Sequence, residues 1–350
     1  MSRIFVKGNE AVARGALAAG CRCYFGYPIT PQNDIPEYMS RVLPASGGEF
    51  IQAESEIAAA NMLLGAGACG VRAMTSSSSP GISLKQEAIS YMAGSDLPGV
   101  IVNISRGGPG LGDIGPSQGD YFQAVKGGGH GDYRQIVLAP GSVQEAYDLT
   151  FEAFDLAFEY RNPVMILGDA ILGQMMEPID TRDPSGPDPQ EAASWRLEGF
   201  GERSPRIIRS LRLAEGTLGR HNQDLQEKYV KARKECRHEE FFTSDARLVV
   251  VAFGSMGRIV KSTVRKLRKE GHMVGLLRPI TLFPFPAPAL QDLARQGKRF
   301  MTIEHNMGQM VEDVRLSICG LAESGFYGHL PGNLPTPEDF EEPILKELTG

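Results

Sequence analysis

Residues 50–81 read "FIQAESEIAAANMLLGAGACGVRAMTSSSSPG", a stretch that predicts one helix followed directly by one strand. The run of residues 54–70 is rich in Ala, Leu and Gly, a composition that suits a dry interior. The next residues, "VRAMTS", predict a short extended segment. Short apolar strands separated by apolar helices are typical of a parallel sheet covered on both faces. The stretch therefore predicts an α/β fold.

The same alternation continues on both sides of this stretch, up to about Pro178. "NEAVARGALAAG" and "SVQEAYDLTFEAFDLAFEYR" predict helices, and "LPGVIVNIS" and "NPVMILGDA" predict strands. A segment rich in Pro and Asp follows, then a highly charged region with a helix at about 222–237, and a second α/β pattern starts at "RLVVVAFGS". We predict three parts, which are an N-terminal domain over residues 1–180, a linker with a charged helix over 181–245 and a smaller α/β domain over 246–350.

The composition excludes several classes of protein. The chain has 350 residues, 42% of them hydrophobic and 22% charged, with a net charge of −6, which gives no support for a nucleic-acid partner. No apolar run is long enough to span a membrane and the first residues lack an apolar signal core, so we expect a cytoplasmic protein. Five scattered cysteines predict reduced thiols rather than disulfides, and the histidines show no helical metal-binding pair.

Two glutamates, Glu54 and Glu56, stand at the start of the helix predicted in this stretch. Acidic residues in a first turn complement the helix dipole, and this explanation suffices for Glu54. Glu56 instead shares its helix face with apolar residues, namely Ala60, Leu63 and Leu64. A carboxylate on that face must be paired or take up a proton, and no nearby residue in the sequence supplies a partner. A structural and a functional role for Glu56 therefore both remain open.

Polar residues follow several of the predicted strands. Thr30 lies in "GYPITP", where two prolines, the first of them Pro28, make the loop rigid. Arg106 directly follows "VIVNIS" and can bind an oxyanion with its two-pronged guanidinium group. An ion pair of Arg106 with Asp113 or Asp120 is an equally good interpretation.

Three loops offer further candidates. The hydroxyls of "TSSSSPG", including Ser77 and Ser78, suit a ligand, a turn or a helix cap. His130 lies between glycines in "GGGHGDYR", a loop that permits close approach to a ligand. The glycines of "GLGDIG" at 110–115 formally match a dinucleotide-binding fingerprint. They stand four residues after the strand and a proline follows them, so a long loop is the better interpretation.

Taken together, these segments resemble the α subunit of 2-oxoacid:ferredoxin oxidoreductases. The similarity rests on "GYPITP", "AESEIAA", "MTSSSSPGISLKQE", "SRGGPG", "QGDYFQAVKGGGHGDYRQIVLAP", "LRPITLFPFP" and "IEHNMGQM", which occur in matching order over nearly the whole chain. Two segments, "GPSQGDYFQAVKGGGHGDYR" and "HNQDLQEKYVKARKE", are most similar to the 2-oxoisovalerate (branched-chain 2-oxoacid) enzymes.

The resemblance implies a fold and a set of site residues. The fold is an N-terminal domain like the pyrimidine-binding domain of thiamine-diphosphate enzymes and a second domain like the C-terminal domain of transketolase. Glu56 matches the glutamate that contacts N1′ of the cofactor's aminopyrimidine, which activates the thiazolium carbon. Thr30 and Arg106 match positions that bind the carboxylate and carbonyl of the substrate. The resemblance further places four residues at the cofactor pocket, namely Pro28, Ser77, Ser78 and His130.

The resemblance also implies partners, because expected motifs are missing. The chain lacks the G-D-G…N motif that binds Mg²⁺ and diphosphate, and it has no C-x-x-C runs for iron–sulfur clusters. A β subunit is therefore expected to hold the diphosphate and Mg²⁺, beside a γ subunit and a ferredoxin-like subunit that carries the clusters. The implied reaction converts a 2-oxoacid, coenzyme A and oxidised ferredoxin to acyl-CoA, CO2 and reduced ferredoxin.

Three alternatives to this function are open from the sequence. The first is the 2-oxoglutarate enzyme of the same family. The second is a nucleotide-dependent oxidoreductase that uses the glycines at 110–115. The third is a non-catalytic scaffold subunit.

Overall fold

The structure is a computed structural model and describes residues 3–184, 191–201 and 203–349. Part of the predicted linker, residues 185–190, lies outside the described residues. The strands are β1 (Arg3–Lys7), β2 (Cys23–Gly26), β3 (Glu49–Gln52), β4 (Ala73–Ser77), β5 (Gly99–Ser105), β6 (Ile136–Leu138), β7 (Pro163–Asp169), β8 (Met176–Asp180), β9 (His238–Phe241), β10 (Leu248–Val251), β11 (Val274–Pro279), β12 (Thr281–Phe283), β13 (Arg299–Glu304) and β14 (Ser324–Gly328). The helices are α1 (Gly8–Ala18), α2 (Asp34–Val42), α3 (Glu56–Ala68), α4 (Pro80–Gly94), α5 (Tyr121–Lys126), α6 (Val143–Tyr160), α7 (Ala170–Gln174), α8 (Thr217–Ala232), α9 (Gly254–Lys269), α10 (Ala287–Arg295), α11 (Met310–Ser317) and α12 (Glu341–Thr349).

A seven-stranded sheet forms the centre of the N-terminal half, in the order β12-β6-β7-β5-β4-β2-β3. All neighbours are parallel except β12 and β6, which are antiparallel. Every residue of β4, β5 and β7 is buried, as expected for strands covered by helices on both faces. Because β2, β4 and β5 are parallel neighbours, their carboxyl ends meet at one edge of the sheet. Ligands bind at this edge in sheets of this kind.

A second, five-stranded sheet has the order β14-β13-β10-β11-β9 and is parallel except for β9. Its core is apolar and includes Leu248 and Val250 of β10 and Val260 and Val264 of α9. The domain division at 180 and 245 remains a prediction. The strand β9 lies in the predicted linker but pairs in the second sheet, and β12 of the second α/β segment pairs in the first sheet.

The two halves of the chain are held together by side chains as well as by β12. Arg278 of β11 donates to both carboxylate oxygens of Glu145 on α6, at 2.9 and 2.6 Å, and to Glu239 of β9 at 2.9 Å. The Arg278 side chain is only 6% exposed, so its charge depends on these two partners. Gln118 adds hydrogen bonds to the backbone of Phe253 and His305. The halves therefore form one continuous body.

We expect Arg278→Met to lower the thermal stability of the whole chain. The substitution keeps the bulk of the side chain but leaves Glu145 without its cation, while Glu239 keeps Lys261, and this loss costs about 2–4 kcal/mol. For a chain of this size the midpoint of thermal unfolding should fall by about 3–5 °C. Differential scanning calorimetry measures this fall. A control, Arg295→Met, removes an exposed arginine that pairs with Asp292 within its own helix and should leave the midpoint unchanged.

Two negative findings hold for the described part of the chain. None of its helices combines the length and the apolar character needed to cross a bilayer. Its residues also contain no group of three or more His, Cys, Asp or Glu side chains placed to hold a metal ion. The five cysteines are all free thiols in the structure.

Candidate active site

The loops that follow β2 and β5 meet at the carboxyl edge of the first sheet, and they bring Thr30 and Arg106 together. Arg106 Nη1 donates to the Thr30 carbonyl at 2.9 Å, and Nη2 donates to the Leu111 carbonyl at 3.1 Å. The residue is only 8% exposed, and its Nε lies buried without a partner. A buried donor without a partner costs about 1–3 kcal/mol, so this guanidinium group is suited to bind an additional acceptor.

Arg106 does not form the ion pair that was the alternative interpretation. Asp113 accepts from the backbone N–H of Ile114, and Asp120 accepts from Ser79 Oγ at 2.6 Å and Asn103 at 2.8 Å. Among the described residues, no carboxylate lies within salt-bridge distance of Arg106. Its positive charge is therefore left available for an anionic ligand.

A buried hydrogen-bond chain holds the loop that carries Thr30. Tyr24 Oη contacts Ser76 Oγ, Ser76 Oγ donates to Gln32 Oε1, and Gln32 donates to the Tyr27 carbonyl at 3.3 Å. The side chains of Tyr24, Ser76 and Gln32 are completely buried. The loop is thus tied to both β2 and β4. Pro28 lies on its exposed side, beside Thr30.

Glu56 is the first residue of α3 and is almost buried, with 7% of its surface exposed. Ser55 caps the helix by accepting from the N–H of Ala58 at 3.2 Å, so the helix begins at Glu56. Glu54 lies before the helix and is exposed. Only Glu56 among the two glutamates is thus directed into the interior.

The carboxylate of Glu56 lies against the first turn of α4. A Cβ atom added at Gly81 would collide with Ser77 Oγ and would lie 2.7 Å from Glu56 Oε1, so both side chains border the same Cα atom. The hydroxyls of Ser77 and Ser78 are buried and have no hydrogen-bond partner. The unsatisfied Ser77 hydroxyl beside a buried carboxylate, with the Ser78 hydroxyl next in the chain, leaves hydrogen bonds that a ligand could make.

Sequence reasoning missed Lys85, a buried cationic residue that contacts the backbone of Glu56. Its side chain is completely buried, and its Nζ donates to the Glu56 carbonyl at 3.3 Å and to Thr75 Oγ1 at 3.0 Å. Burial lowers the pKa of Lys85 to about 8, an effect that the negative charge of Glu56 opposes. A signal was present, because Lys85 lies on the apolar stripe of α4 between Ile82 and Ile89.

The structure does not bring His130 to this cluster. His130 is exposed and lines a groove with Ser90 and Gly94, near the C-terminal end of α4. Glu56 contacts Gly81 in the first turn of the same helix, whereas Gly128 and Gly129 border Gln86 and Ser90 farther along it. The glycine-rich loop of residues 127–131 thus lies along the middle of α4, and in this structure His130 makes no recorded contact with Glu56 or Gly81.

The glycines at 110–115 do not form a dinucleotide-binding turn. The Gly107 N–H donates to the Gly115 carbonyl at 3.0 Å, and Arg106 pairs with Pro116 in an isolated bridge, so these residues close a loop. The next helix, α5, begins only at Tyr121. Because no helix N-terminus follows the glycines, the geometry that binds a pyrophosphate is missing here.

We expect Gly81→Ala to impair the site strongly without unfolding the protein. The added methyl group collides with Ser77 Oγ and with the Glu56 carboxylate, so the carboxylate must move. A displacement of about 1 Å costs about 100-fold in kcat/KM when the residue is catalytic. Steady-state kinetics of the assembled enzyme measure this loss. Gly65→Ala, on the neighbouring helix, adds a methyl group in open space and should have no effect on the kinetics.

Comparison with known proteins identifies the family. The family profile described as "Pyruvate flavodoxin/ferredoxin oxidoreductase, thiamine diP-bdg" matches residues 14–240. A second profile, "Pyruvate:ferredoxin oxidoreductase core domain II", matches residues 246–340. The chain belongs to the pyruvate flavodoxin/ferredoxin oxidoreductase family. The resemblance predicted from the sequence is thereby confirmed.

Members of this family with assigned names are similar over their full length. The "Ketoisovalerate oxidoreductase subunit VorB" of Methanothermobacter thermautotrophicus is 51% identical, over 100% of this chain and 99% of the relative. The "2-oxoglutarate synthase subunit KorA" of the same organism is 38% identical, over 98% of each chain. The "Pyruvate synthase subunit PorA" of Pyrococcus abyssi is 29% identical, over 87% of this chain and 81% of the relative.

Solved structures confirm the predicted fold. The structure of 2-oxoglutarate:ferredoxin oxidoreductase from Magnetococcus marinus, with 2-oxoglutarate, coenzyme A and succinyl-CoA bound, matches with a TM-score of 0.85 and 25% identity, over 99% of this chain. This chain spans 65% of that longer chain. A split-gene transketolase, described as an inactive β4 tetramer, matches with a TM-score of 0.62 and 14% identity, over 98% of both chains, and supports the fold alone.

Proposed function

We propose that this chain is the α subunit of a thiamine-diphosphate-dependent 2-oxoacid:ferredoxin oxidoreductase that acts on branched-chain 2-oxoacids such as 2-oxoisovalerate. The reaction converts the 2-oxoacid and coenzyme A to acyl-CoA and CO2 while ferredoxin is reduced. The observation that carries the proposal is the buried Glu56, set against Gly81 and the unsatisfied Ser77 hydroxyl at the carboxyl edge of a parallel sheet. The 51% identity to a ketoisovalerate oxidoreductase subunit supports the same substrate class.

The residues at this edge fit the pyrimidine end of thiamine diphosphate. Glu56 would face a ring nitrogen. The hydroxyls of Ser77 and Ser78 have no hydrogen-bond partner within the chain and would form hydrogen bonds with the ring. When bound, thiamine diphosphate would supply the nucleophilic carbon and the electron sink that decarboxylation of a 2-oxoacid requires. Glu56 would hold and release a proton at the ring nitrogen, a role that suits a positioned carboxyl group.

Arg106 and Thr30 bind the substrate. The guanidinium group is held in place by the carbonyls of Thr30 and Leu111 and retains an unsatisfied Nε, so it can bind the C1 carboxylate of the 2-oxoacid. Thr30 is exposed, and its hydroxyl can donate to the 2-oxo oxygen. The binding must be moderate, because over-stabilising the carboxylate slows the loss of CO2.

The loop beside Arg106 favours a branched-chain substrate over 2-oxoglutarate. Residues 107–118 contain no Lys, Arg or His. The loop instead exposes Leu111 and Ile114 and carries the acidic Asp113. A second carboxylate on the substrate would find apolar surface and a like charge there, whereas an isopropyl group would be bound by the apolar side chains.

The proposal includes partner subunits. A β subunit supplies the site for Mg²⁺ and diphosphate, a γ subunit completes the complex, and a ferredoxin-like subunit carries the iron–sulfur clusters. The lack of a Mg²⁺–diphosphate motif and of C-x-x-C pairs in this sequence supports this division of labour. Pro28 and, at a greater distance, His130 remain proposed neighbours of the cofactor or of a partner subunit.

Copurification followed by a substrate panel tests the proposed function. The tagged chain is isolated with its associated subunits and assayed for ferredoxin or viologen reduction with 2-oxoisovalerate, pyruvate and 2-oxoglutarate, with coenzyme A present. We expect the highest kcat/KM for 2-oxoisovalerate. A preference for 2-oxoglutarate would overturn the substrate assignment. Full activity of the partner subunits without this chain would favour the scaffold alternative.

A further inference from the structure

Lys85 is a buried cation that neither the fold nor the proposed catalytic set accounts for. It lies in the second turn of α4, and its side chain has no exposed surface. Its ammonium group has two hydrogen-bond acceptors, Thr75 Oγ1 of β4 and the backbone carbonyl of Glu56 on α3. Both acceptors are neutral groups, and among the described residues no carboxylate lies within salt-bridge distance of Lys85.

This arrangement costs stability. Burial lowers the pKa of Lys85 to about 8 even though the charge of Glu56 acts in the opposite direction. Below about pH 8 the folded chain must therefore keep a desolvated ammonium group. The penalty is relieved between about pH 8 and the ordinary value of 10.5, where the folded lysine has lost its proton and the unfolded lysine still holds it. A methionine would fill the same volume between Ile82 and Ile89 without this cost.

Glu56 is the one charged residue that acts on Lys85 from the described elements packed around it. Of the elements packed around it, β4 contributes the Thr75 hydroxyl, which stays neutral, and α3 contributes Glu56. Glu56 is the charged group whose field reaches the ammonium group. Both residues are buried, and the Glu56 side chain borders Gly81 together with Ser77.

We propose that Lys85 is a positioning residue that acts through Glu56. It holds the first peptide unit of α3 through the Glu56 carbonyl and thereby sets where the Glu56 carboxyl group lies against Gly81. This inference rests on the proposed function, because it assigns Lys85 a role only if Glu56 contacts the cofactor. A buried charge that lowers the stability of the fold is expected where the charge serves function.

The role has a consequence that can be measured without turnover. Without Lys85 the start of α3 loses its hydrogen bond from α4, and the Glu56 carboxyl group is no longer fixed against Gly81. A carboxyl group that is not held in place binds the cofactor ring less tightly. Affinity for the cofactor should then fall.

The first test compares thermal stability in the cofactor-free complex of full-length subunits. Lys85→Met should leave the unfolding midpoint unchanged or raise it at pH 7, and its advantage over the wild type should shrink by pH 9.5. The matched control is Lys228→Met. Lys228 is also largely buried but forms a 2.7 Å ion pair with Asp96, so its loss should lower the midpoint by several degrees. A fall for Lys85→Met as large as that of the control would assign Lys85 a structural role and overturn the inference.

The second test is calorimetry of thiamine diphosphate with Mg²⁺ titrated into the same complexes. We expect the same Kd for the wild type and for Lys228→Met, and a Kd about tenfold higher for Lys85→Met. In steady state with saturating cofactor, kcat of Lys85→Met should fall about tenfold or more while KM for the 2-oxoacid stays unchanged. A wild-type Kd and kcat in Lys85→Met would overturn the inference.

A third variant separates failure of the inference from failure of the proposed function. Normal turnover in Glu56→Gln would overturn the proposed function, and the stability comparison would still report how Lys85 and Glu56 interact. If Glu56→Gln is inactive and Lys85→Met binds the cofactor and turns over as the wild type does, the proposed function stands and only the role of Lys85 fails.

Discussion

Glu56→Gln is expected to abolish turnover of the assembled enzyme, with a loss in kcat of about 1,000-fold or more. Glutamine has nearly the same shape as glutamate, so the packing against Gly81 is kept. Its amide cannot take up or release a proton at neutral pH, and the proposed exchange with the ring nitrogen is lost. Ferredoxin- or viologen-linked assays with saturating 2-oxoisovalerate and coenzyme A measure the loss.

The chain provides a matched control for this variant. Glu54 stands two residues earlier, is exposed and lies outside α3, so Glu54→Gln changes the net charge identically without touching the pocket. It should retain wild-type turnover. Both variants should assemble with their partner subunits, as judged by gel filtration. An assembled Glu56→Gln enzyme with near-wild-type kcat would contradict the role of Glu56.

Arg106→Met is expected to lower kcat/KM by about 100-fold for every 2-oxoacid tested. The guanidinium group is proposed to bind the C1 carboxylate, and loss of charge-assisted hydrogen bonds of this kind costs about 3 kcal/mol. Since the C1 carboxylate is common to all 2-oxoacids, the ratio of kcat/KM between 2-oxoisovalerate and pyruvate should not change. A changed ratio would place Arg106 at the side-chain end of the substrate instead.

Arg106 also supports two loops, so a control must separate binding from structure. Arg106→Lys keeps a positive charge but cannot reach the carbonyls of Thr30 and Leu111 with two separate N–H groups. If the positive charge accounts for most of the substrate binding, kcat/KM of Arg106→Lys should be at least tenfold higher than that of Arg106→Met. Recovery of less than this, together with a lowered unfolding midpoint in both variants, would indicate that Arg106 acts through loop structure.

Much of the fold could be predicted because its signals are local. The strands β4, β5 and β7 are short and wholly buried, and the helices between them are apolar, which is what a sheet covered on both faces requires. Boundaries were less accurate. The charged helix was predicted at about 222–237, whereas α8 spans Thr217–Ala232, because Gly216 and Gly219 weaken the signal for its start.

The candidate site was predictable only in part. Placing Thr30 and Arg106 at strand ends required knowledge of the strands alone, and the family resemblance assigned Glu56 its role. Lys85 was missed, although its position on an apolar helix stripe marks it as unusual. His130 was proposed from the glycines around it, a local feature that carries no information on which part of α4 the loop reaches.

The amino-acid sequence by itself determined the layered α/β architecture and the residues that stand at strand ends, because alternating apolar strands and helices can be buried in few other ways. Only the tertiary structure decided which of those residues meet. Lys85 contacts the Glu56 backbone across 29 residues, and Arg106 contacts Thr30 across 76. These contacts depend on β2, β4 and β5 being neighbours, and no local pattern of side chains specifies the order of strands in a sheet.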